Sequence, residues 1–266
     1  MVTAHEAAHQ WWGNLLVPGK EPGGNILSEG MAHFSVVLLF EQVKGPRERI
    51  EFLKRIETSY ARARQVDAEK PLVETDGSRA GDTTVTYDKG GWVFWMLLNR
   101  MGRERTLARL KDFILRYHHQ PDHPVLQDFV AVMREHAADV ASYDEFTRQW
   151  FFAVVAPEYA LSDAKKEPGT AAGTWRTRVT VTNRGTGTMP IEIAAGRGTR
   201  FPDVATSAAA EAAADAWREA RVTVTLAAGE SREVTIASDF EPEHVVVDPD
   251  ALVLQLRRER ATSRLK

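Results

Sequence analysis

Apolar residues recur at helical spacing through the first part of the chain and alternate with polar ones through the last part. Ile50, Leu53, Ile56 and Tyr60 share one helical face, with Phe52 flanking it, and predict a helix over 46–65. Gly45-Pro46 reads as a C-cap glycine followed by a first-turn proline, which ends a preceding helix that runs over 28–43. Trp92, Val93, Trp95, Met96 and Leu97 predict a helix following Tyr87, and further helices fit 104–117, 125–136 and 143–152. Between them, 66–86 is a polar segment containing Gly77 and Gly81. It is long for a structureless connection, which points to a functional loop lining a cleft.

From about Thr174 the period changes to two. Arg178-Val179-Thr180-Val181-Thr182 and Arg221-Val222-Thr223-Val224-Thr225 alternate strictly, and 245–247 and 252–254 read as later strands. Turn residues at 183–187 and 228–230 separate them. The expected fold class is therefore α+β: a mainly helical domain over 1–162, a Lys-, Pro- and Gly-rich linker over 163–173, and a small antiparallel β-sandwich-like domain over 174–266. The alanine-rich run 207–215 is poor strand material and reads as a helical insert or a loop.

Composition narrows the function classes only a little. The chain has 266 residues, 43% hydrophobic and 27% charged, which is ordinary for a globular protein. A net charge of −3 argues against a generic nucleic-acid binder. The absence of cysteine removes disulfides and thiolate metal sites. Apolar runs such as 36–40 are shorter than the roughly 20 residues that span a bilayer, and no signal peptide is visible. None of this assigns a compartment.

The chemistry is concentrated near the start. In His5-Glu6-Ala7-Ala8-His9 the two histidines stand one helical turn apart on one face, where two imidazoles can share a tetrahedral zinc. Glu6 lies beside them, placed to accept a proton from a metal-activated water. Glu29, on a second helix, supplies a third ligand and leaves the fourth position open. The same residues admit a blander reading, since Thr3 and Glu6 fit a capping box at a helix start. Tyr87, taken alone, reads as an ordinary packed aromatic. His33, one turn beyond Glu29, is expected to hydrogen-bond near the site rather than to bind metal. Of Trp11 and Trp12, at least one should enter the core. His118, His119, Asp122 and His123 lie in a connecting loop marked by Gln120-Pro121 and Pro124 and read as surface residues, and 257–260 as a solvated end.

Gln10-Trp11-Trp12-Gly13-Asn14, Leu27-Ser28-Glu29-Gly30 and Tyr87-Asp88-Lys89-Gly90-Gly91 come after the His-Glu-x-x-His string in that order. Together they resemble the gluzincin, aminopeptidase-N-like zinc metallopeptidases. Nineteen residues separate His9 from Glu29, one more than is usual there, and the extra residue falls in the Pro/Gly-rich stretch 17–24. The Gln-Trp-Trp-Gly run and this spacing look most like a bacterial branch whose peptidase domain comes after a transporter-permease membrane segment. The resemblance implies a thermolysin-like helical catalytic domain and a parent protein with a membrane-embedded N-terminal portion or transporter partner. It implies one zinc per chain, held by His5, His9 and Glu29, with Glu6 as general base and later proton donor. Tyr87 would be the oxyanion donor and a peptide the substrate.

No Gly-x-Met-Glu-Asn string occurs, although the family uses one to grip the substrate's amine. The chain is therefore expected to be the C-terminal portion of a larger enzyme. With His5 in the first turn of its helix, weaker zinc binding is expected than in an intact enzyme. Two functions remain open: a zinc-dependent peptidase, aminopeptidase-like, or a truncated, non-catalytic zinc-binding fragment of a larger membrane-linked peptidase. The joint presence of base, three ligands and tyrosine favours the enzyme.

Overall fold

Gly45 and Pro46 divide two long helices, as the sequence pattern requires. In a computed structural model describing residues 2–202 and 217–266, Gly45 has φ +86°, a conformation that favours glycine, and Pro46 opens the next helix. The alanine-rich run 207–215 lies outside the described residues. The chain divides into two compact units, Met1–Val155 and Ala156–Lys266.

The first unit is helical: α1 (Val2–Ala8), α2 (Met31–Lys44), α3 (Pro46–Ala63), α4 (Asp82–Thr84), α5 (Gly90–Met101), α6 (Arg103–Tyr117), α7 (Leu126–Arg134) and α8 (Val140–Trp150). A π-helical turn, Ile26–Gly30, runs directly into α2, and a second, Val85–Lys89, joins α4 to α5. Tyr87 therefore sits inside a continuous helical stretch rather than before one. The helix from Ile26 to Lys44 spans 19 residues and is long and apolar enough to cross a bilayer by length and composition. Within it, Met31, Ala32, Phe34, Val36 and Val37 are buried inside the unit. Aromatic side chains from α5, α6 and α7 close the core, with Phe94 and Phe113 each edge-on to Phe129 at 5.3 and 5.5 Å.

Two helical stretches approach closely. A Cβ added at Gly30 would lie 3.0 Å from the Thr86 carbonyl oxygen and 3.3 Å from the Gly90 Cα, and one at Gly91 would lie 2.8 Å from the His33 Cβ. Glycine at 30, 90 and 91 thus lets the Glu29-bearing turn and α2 lie against the Tyr87-bearing turn and α5.

The second unit holds two antiparallel sheets. One is ordered β1 (Tyr159–Pro168), β2 (Trp175–Asn183), β5 (Ser231–Ser238); the other is ordered β4 (Arg218–Leu226), β3 (Met189–Arg197), β6 (His244–Val247), β7 (Thr262–Arg264). Val179 and Val181, Ile191 and Ile193, Val234 and Ile236, and Val245 and Val247 are buried at alternate positions.

Three expectations are corrected by the second unit. Residues 163–168, expected in a linker, belong to β1, which pairs with β2 from Tyr159↔Asn183 to Pro168↔Trp175. It is the edge strand of its sheet, where Lys165, Lys166 and Pro168 are tolerated, so its composition mimics a linker. Residues 252–254 form no strand, because the Leu252 and Val253 amides donate to the Asp248 carboxylate at 2.8 and 3.0 Å instead of to a ladder. The arginines at 257–260 are not merely solvated: Arg258 donates to the Asp248 carboxylate and the Val253 carbonyl, and Arg260 to Glu158.

The polar segment 66–86 is anchored by a buried ion pair. Lys89 Nζ lies 2.7 Å from Glu69 Oε1, and both side chains are fully buried. The Tyr60 hydroxyl and Arg64 Nε also donate to this carboxylate, each at 2.7 Å. Burial alone would raise the Glu69 carboxyl, but the Lys89 charge and the hydrogen bonds from Lys89 and Tyr60, with Arg64, hold it below the ordinary carboxylate value. Burial lowers the Lys89 ammonium, with the Glu69 charge opposing. Since Lys89 closes the turn that carries Tyr87, this pair fixes that turn against α3.

Glu69→Ala would leave a buried ammonium uncompensated and should destabilise the protein by about 3–5 kcal/mol, measured by urea unfolding at pH 7. The carboxylate's contribution is full above its unfolded pKa of about 4.3 and is lost as pH falls through the lower folded value. The difference between wild type and variant should therefore shrink on acidification below about pH 4.

Candidate metal centre

His5 sits in α1, whereas His9 lies just beyond it. Past Ala8 the helix gives way to a run of turns, in which the amides of Asn14, Leu15 and Leu16 donate to the carbonyls of His9, Gln10 and Trp11, each five residues back. Gly13 lies within this segment at φ +117°, its amide donating to the Leu16 carbonyl at 2.8 Å, and a Cβ there would lie 3.0 Å from the Ser28 Oγ. Thr3 lies inside α1 rather than at its cap, so the capping-box geometry is not adopted.

His5, His9 and Glu29 converge. His5 Nε2 lies 3.0 Å from Glu29 Oε2, His9 Nε2 lies 3.2 Å from His5 Nε2, and His9 Nε2 lies 3.3 Å from Glu29 Oε2. A tetrahedral zinc with bonds of about 2.0–2.1 Å requires ligand atoms about 3.3 Å apart. The triangle is therefore of the size zinc needs, and its donor set of two imidazoles and a carboxylate suits that metal.

Each imidazole is oriented through its other nitrogen. His9 Nδ1 lies 2.8 Å from the Trp12 carbonyl oxygen, which can only accept, so Nδ1 carries the proton and Nε2 is free to face inward. Trp12 is itself buried and donates its indole N–H to Ser35 Oγ at 3.1 Å, whereas Trp11 is exposed. His5 Nδ1 lies 3.0 Å from His33 Nδ1. Burial, and then the neighbouring His5, hold the His33 pKa down to about 4 against an opposing pull from Glu29. His33 Nε2 faces Asp88 Oδ1 at 3.7 Å. Asp88 accepts a hydrogen bond from Thr84 at 2.9 Å, and burial raises its carboxyl against the hydrogen bonds from Ser59 and Thr84.

Tyr87 stacks near His5, with ring centroids 5.6 Å apart and planes inclined by 17°. Burial, and then a hydrogen bond and the charge of Glu29, push its phenol up to about 12, so it is a neutral donor at pH 7. Glu6 is exposed and lines the same open cavity of about 380 Å³ as Val2, His5, His9, Glu29, His33 and Tyr87. A neighbouring cavity, beyond His33 and Tyr87, is lined by Ser59, Gly81, Thr83, Thr84 and Asp88, so part of the 66–86 segment borders that second cavity and not the one that holds His5, His9 and Glu29. A larger hollow along α3 is lined by Glu51, Lys54, Arg55 and Arg62. His119, Asp122 and His123 are exposed, and His118 bonds the Leu115 carbonyl. Among the described residues, His5, His9 and Glu29 are the grouping that can hold a metal ion. Sequence pattern misses the roles of Gly30, Gly90 and Gly91, although a glycine pair inside a helical stretch is the available sign.

The sequence matches the peptidase family M1 domain over residues 1–150. It is 28% identical over 149 residues to aminopeptidase M1-B of Oryza sativa subsp. japonica, covering 52% of this chain and 16% of that protein. It is 27% identical over 200 residues to aminopeptidase M1-C of the same plant, covering 68% and 22%. The chain thus spans about a fifth of the length of these relatives. Among solved structures, aminopeptidase A of Legionella pneumophila superposes with a TM-score of 0.59 at 15% identity, covering all of this chain and 26% of that one, a likeness of fold.

Gly91→Ala should force α2 and α5 apart at His33, since the new Cβ has only 2.8 Å to that residue's Cβ. A loss of about 1–3 kcal/mol is expected in thermal or urea unfolding. The same loss measured in a His33→Gly background, which removes that Cβ, would show that the His33 contact is not its source.

Proposed function

The chain belongs to the peptidase family M1, and from that premise we propose that it is the zinc-dependent catalytic portion of an aminopeptidase-type peptidase. The observation that carries this reading is the His5–His9–Glu29 triangle, with edges of 3.0 to 3.3 Å, opening on a cavity that Glu6 and Tyr87 also line. The names of the two rice relatives support the aminopeptidase assignment.

In this reading His5 Nε2, His9 Nε2 and a Glu29 oxygen hold zinc. Bound there, zinc would lower the pKa of a water and polarise the scissile carbonyl. Glu6 accepts the proton of the attacking water and returns it to the departing amine, which makes it general base and then general acid. Its exposure in the open cavity lets both water and substrate reach it. Tyr87 is a phenol that keeps its proton at neutral pH, and burial with Glu29 raises its pKa further, so it can donate a hydrogen bond to the oxygen on which charge develops. Trp12 and His33, bonded to the Nδ1 atoms, keep the Nε2 atoms aimed inward. A peptide is the substrate class, and no acyl-enzyme is formed because water, not a side chain, is the nucleophile.

The test is zinc content together with hydrolysis of aminoacyl fluorogenic substrates. One zinc per chain and chelator-sensitive hydrolysis are expected. Glu6→Gln should keep zinc and lose at least about 100-fold in kcat, the scale of general acid–base catalysis. Tyr87→Phe should lose about 100- to 1,000-fold, as removal of one oxyanion donor does elsewhere. Zinc without hydrolysis would make this chain a metal-binding portion that is not sufficient for turnover. Full activity in Glu6→Gln would overturn the assigned base.

A further inference from the structure

His9 and His5 are both aimed at the same point, but they are held there differently. His9 is oriented by a main-chain carbonyl, that of Trp12, at 2.8 Å. His5 Nδ1 instead meets the Nδ1 of a third histidine, His33, at 3.0 Å. Two facing ring nitrogens at that distance form a hydrogen bond only if one carries the proton and the other does not. If His5 is to offer Nε2 as a lone-pair donor, its proton is on Nδ1, and His33 Nδ1 must be the acceptor. The remaining proton of His33 is then on Nε2, which faces Asp88 Oδ1. At 3.7 Å that contact is too long for a direct hydrogen bond, but the carboxylate's charge favours the N–H end of the ring on that side. The tautomer choices are consistent from Asp88 through His33 to His5.

We propose that His33 is a positioning residue of the metal centre, which fixes the tautomer and ring orientation of His5 by accepting its Nδ1–H and is oriented in turn by Asp88. His33 reaches this place because residue 91 is a glycine: a Cβ there would lie only 2.8 Å from the His33 Cβ. Its ring is enclosed edge-on by Tyr87 and His5, at centroid distances of 5.4 and 4.8 Å. The arrangement also joins the two helical stretches functionally: His33 comes from α2, Asp88 from the turn that carries Tyr87.

This inference rests on the zinc assignment of His5, His9 and Glu29, so the experiment reads zinc affinity directly. Wild type, His33→Phe and His33→Asn are compared by chelator competition, with the visible spectrum of the cobalt-substituted proteins and the melting temperature of each metal-free protein as controls. His33→Phe keeps a ring but has no acceptor, and should weaken zinc binding about 10- to 100-fold. His33→Asn places a carbonyl oxygen near the Nδ1 position and should stay within a few-fold of wild type, with a cobalt spectrum close to it. Unchanged affinity in His33→Phe would overturn the positioning role while leaving the zinc assignment intact. Equal losses in both variants, in step with the fall in metal-free melting temperature, would show a packing role and also overturn it. A wild-type chain that takes up no zinc would overturn both readings.

Discussion

Everything at the candidate centre depends on how closely two helical stretches can approach. Glu29 and His33 belong to one, Tyr87 and Asp88 to another, and their side chains meet because the backbones meet first. Gly30 lies against the Thr86 carbonyl and Gly90, and Gly91 against His33. Any side chain at these positions would add at least a methyl group's width between the axes. The contacts built on this approach, His33 to His5 at 3.0 Å and Tyr87 over His5, have no slack of that size. Packed interiors transmit such displacements rather than absorb them.

Both facing segments are π-helical turns, Ile26–Gly30 and Val85–Lys89. A π turn inserts one residue beyond the α-helical count and rotates the side chains before it relative to those after it. Glu29 and Tyr87 lie within these turns, where each can point into the cavity while the adjoining α-helix keeps its apolar face in the core. The local cost is poorer backbone hydrogen bonding, and the surroundings offset it. On the Tyr87 side the buried Lys89–Glu69 pair holds the turn, with Tyr60 and Arg64 completing the carboxylate's partners. On the Glu29 side the continuing helix supplies the anchor through its buried Met31, Phe34 and Val37.

Much of this is legible in the chain. The helical stripe Ile50, Leu53, Ile56 and Tyr60 is buried on α3, and the Gly45-Pro46 punctuation falls between α2 and α3. Helical spacing brings His5 and His9 to notice, the family resemblance adds Glu29, and the three side chains lie together. The features that pattern does not show depend on partners distant in sequence. The strand Tyr159–Pro168 looks like a linker because an edge strand carries charge and proline, and only its pairing with β2 defines it. The run 252–254 looks like a strand, yet the Asp248 carboxylate takes the amides of Leu252 and Val253. Periodicity likewise has no symbol for a π turn: it shifts register by one residue, which places Tyr87 inside a helix that the apolar pattern starts after it. The pairing of Lys89 with Glu69 joins residues 20 apart across a segment whose composition reads as loop.

The centre also bears on stability, because three polar atoms are aimed at one point. His5 Nε2, His9 Nε2 and Glu29 Oε2 lie within 3.0 to 3.3 Å of one another, and lone pairs at that separation repel unless a cation or a shared proton lies between them. The fold holds them there through contacts made elsewhere, at Trp12, His33 and the glycine crossing. Binding of a cation to such a preformed triangle needs little reorganisation, so its free energy adds to that of the folded state. The sides of the triangle are not equally supported: His9 leans on main chain, His5 on another side chain, and Glu29 on a π turn. A substitution that loosens His33 or the Gly91 contact therefore acts on His5 first, and reaches His9 only through the metal the two would share.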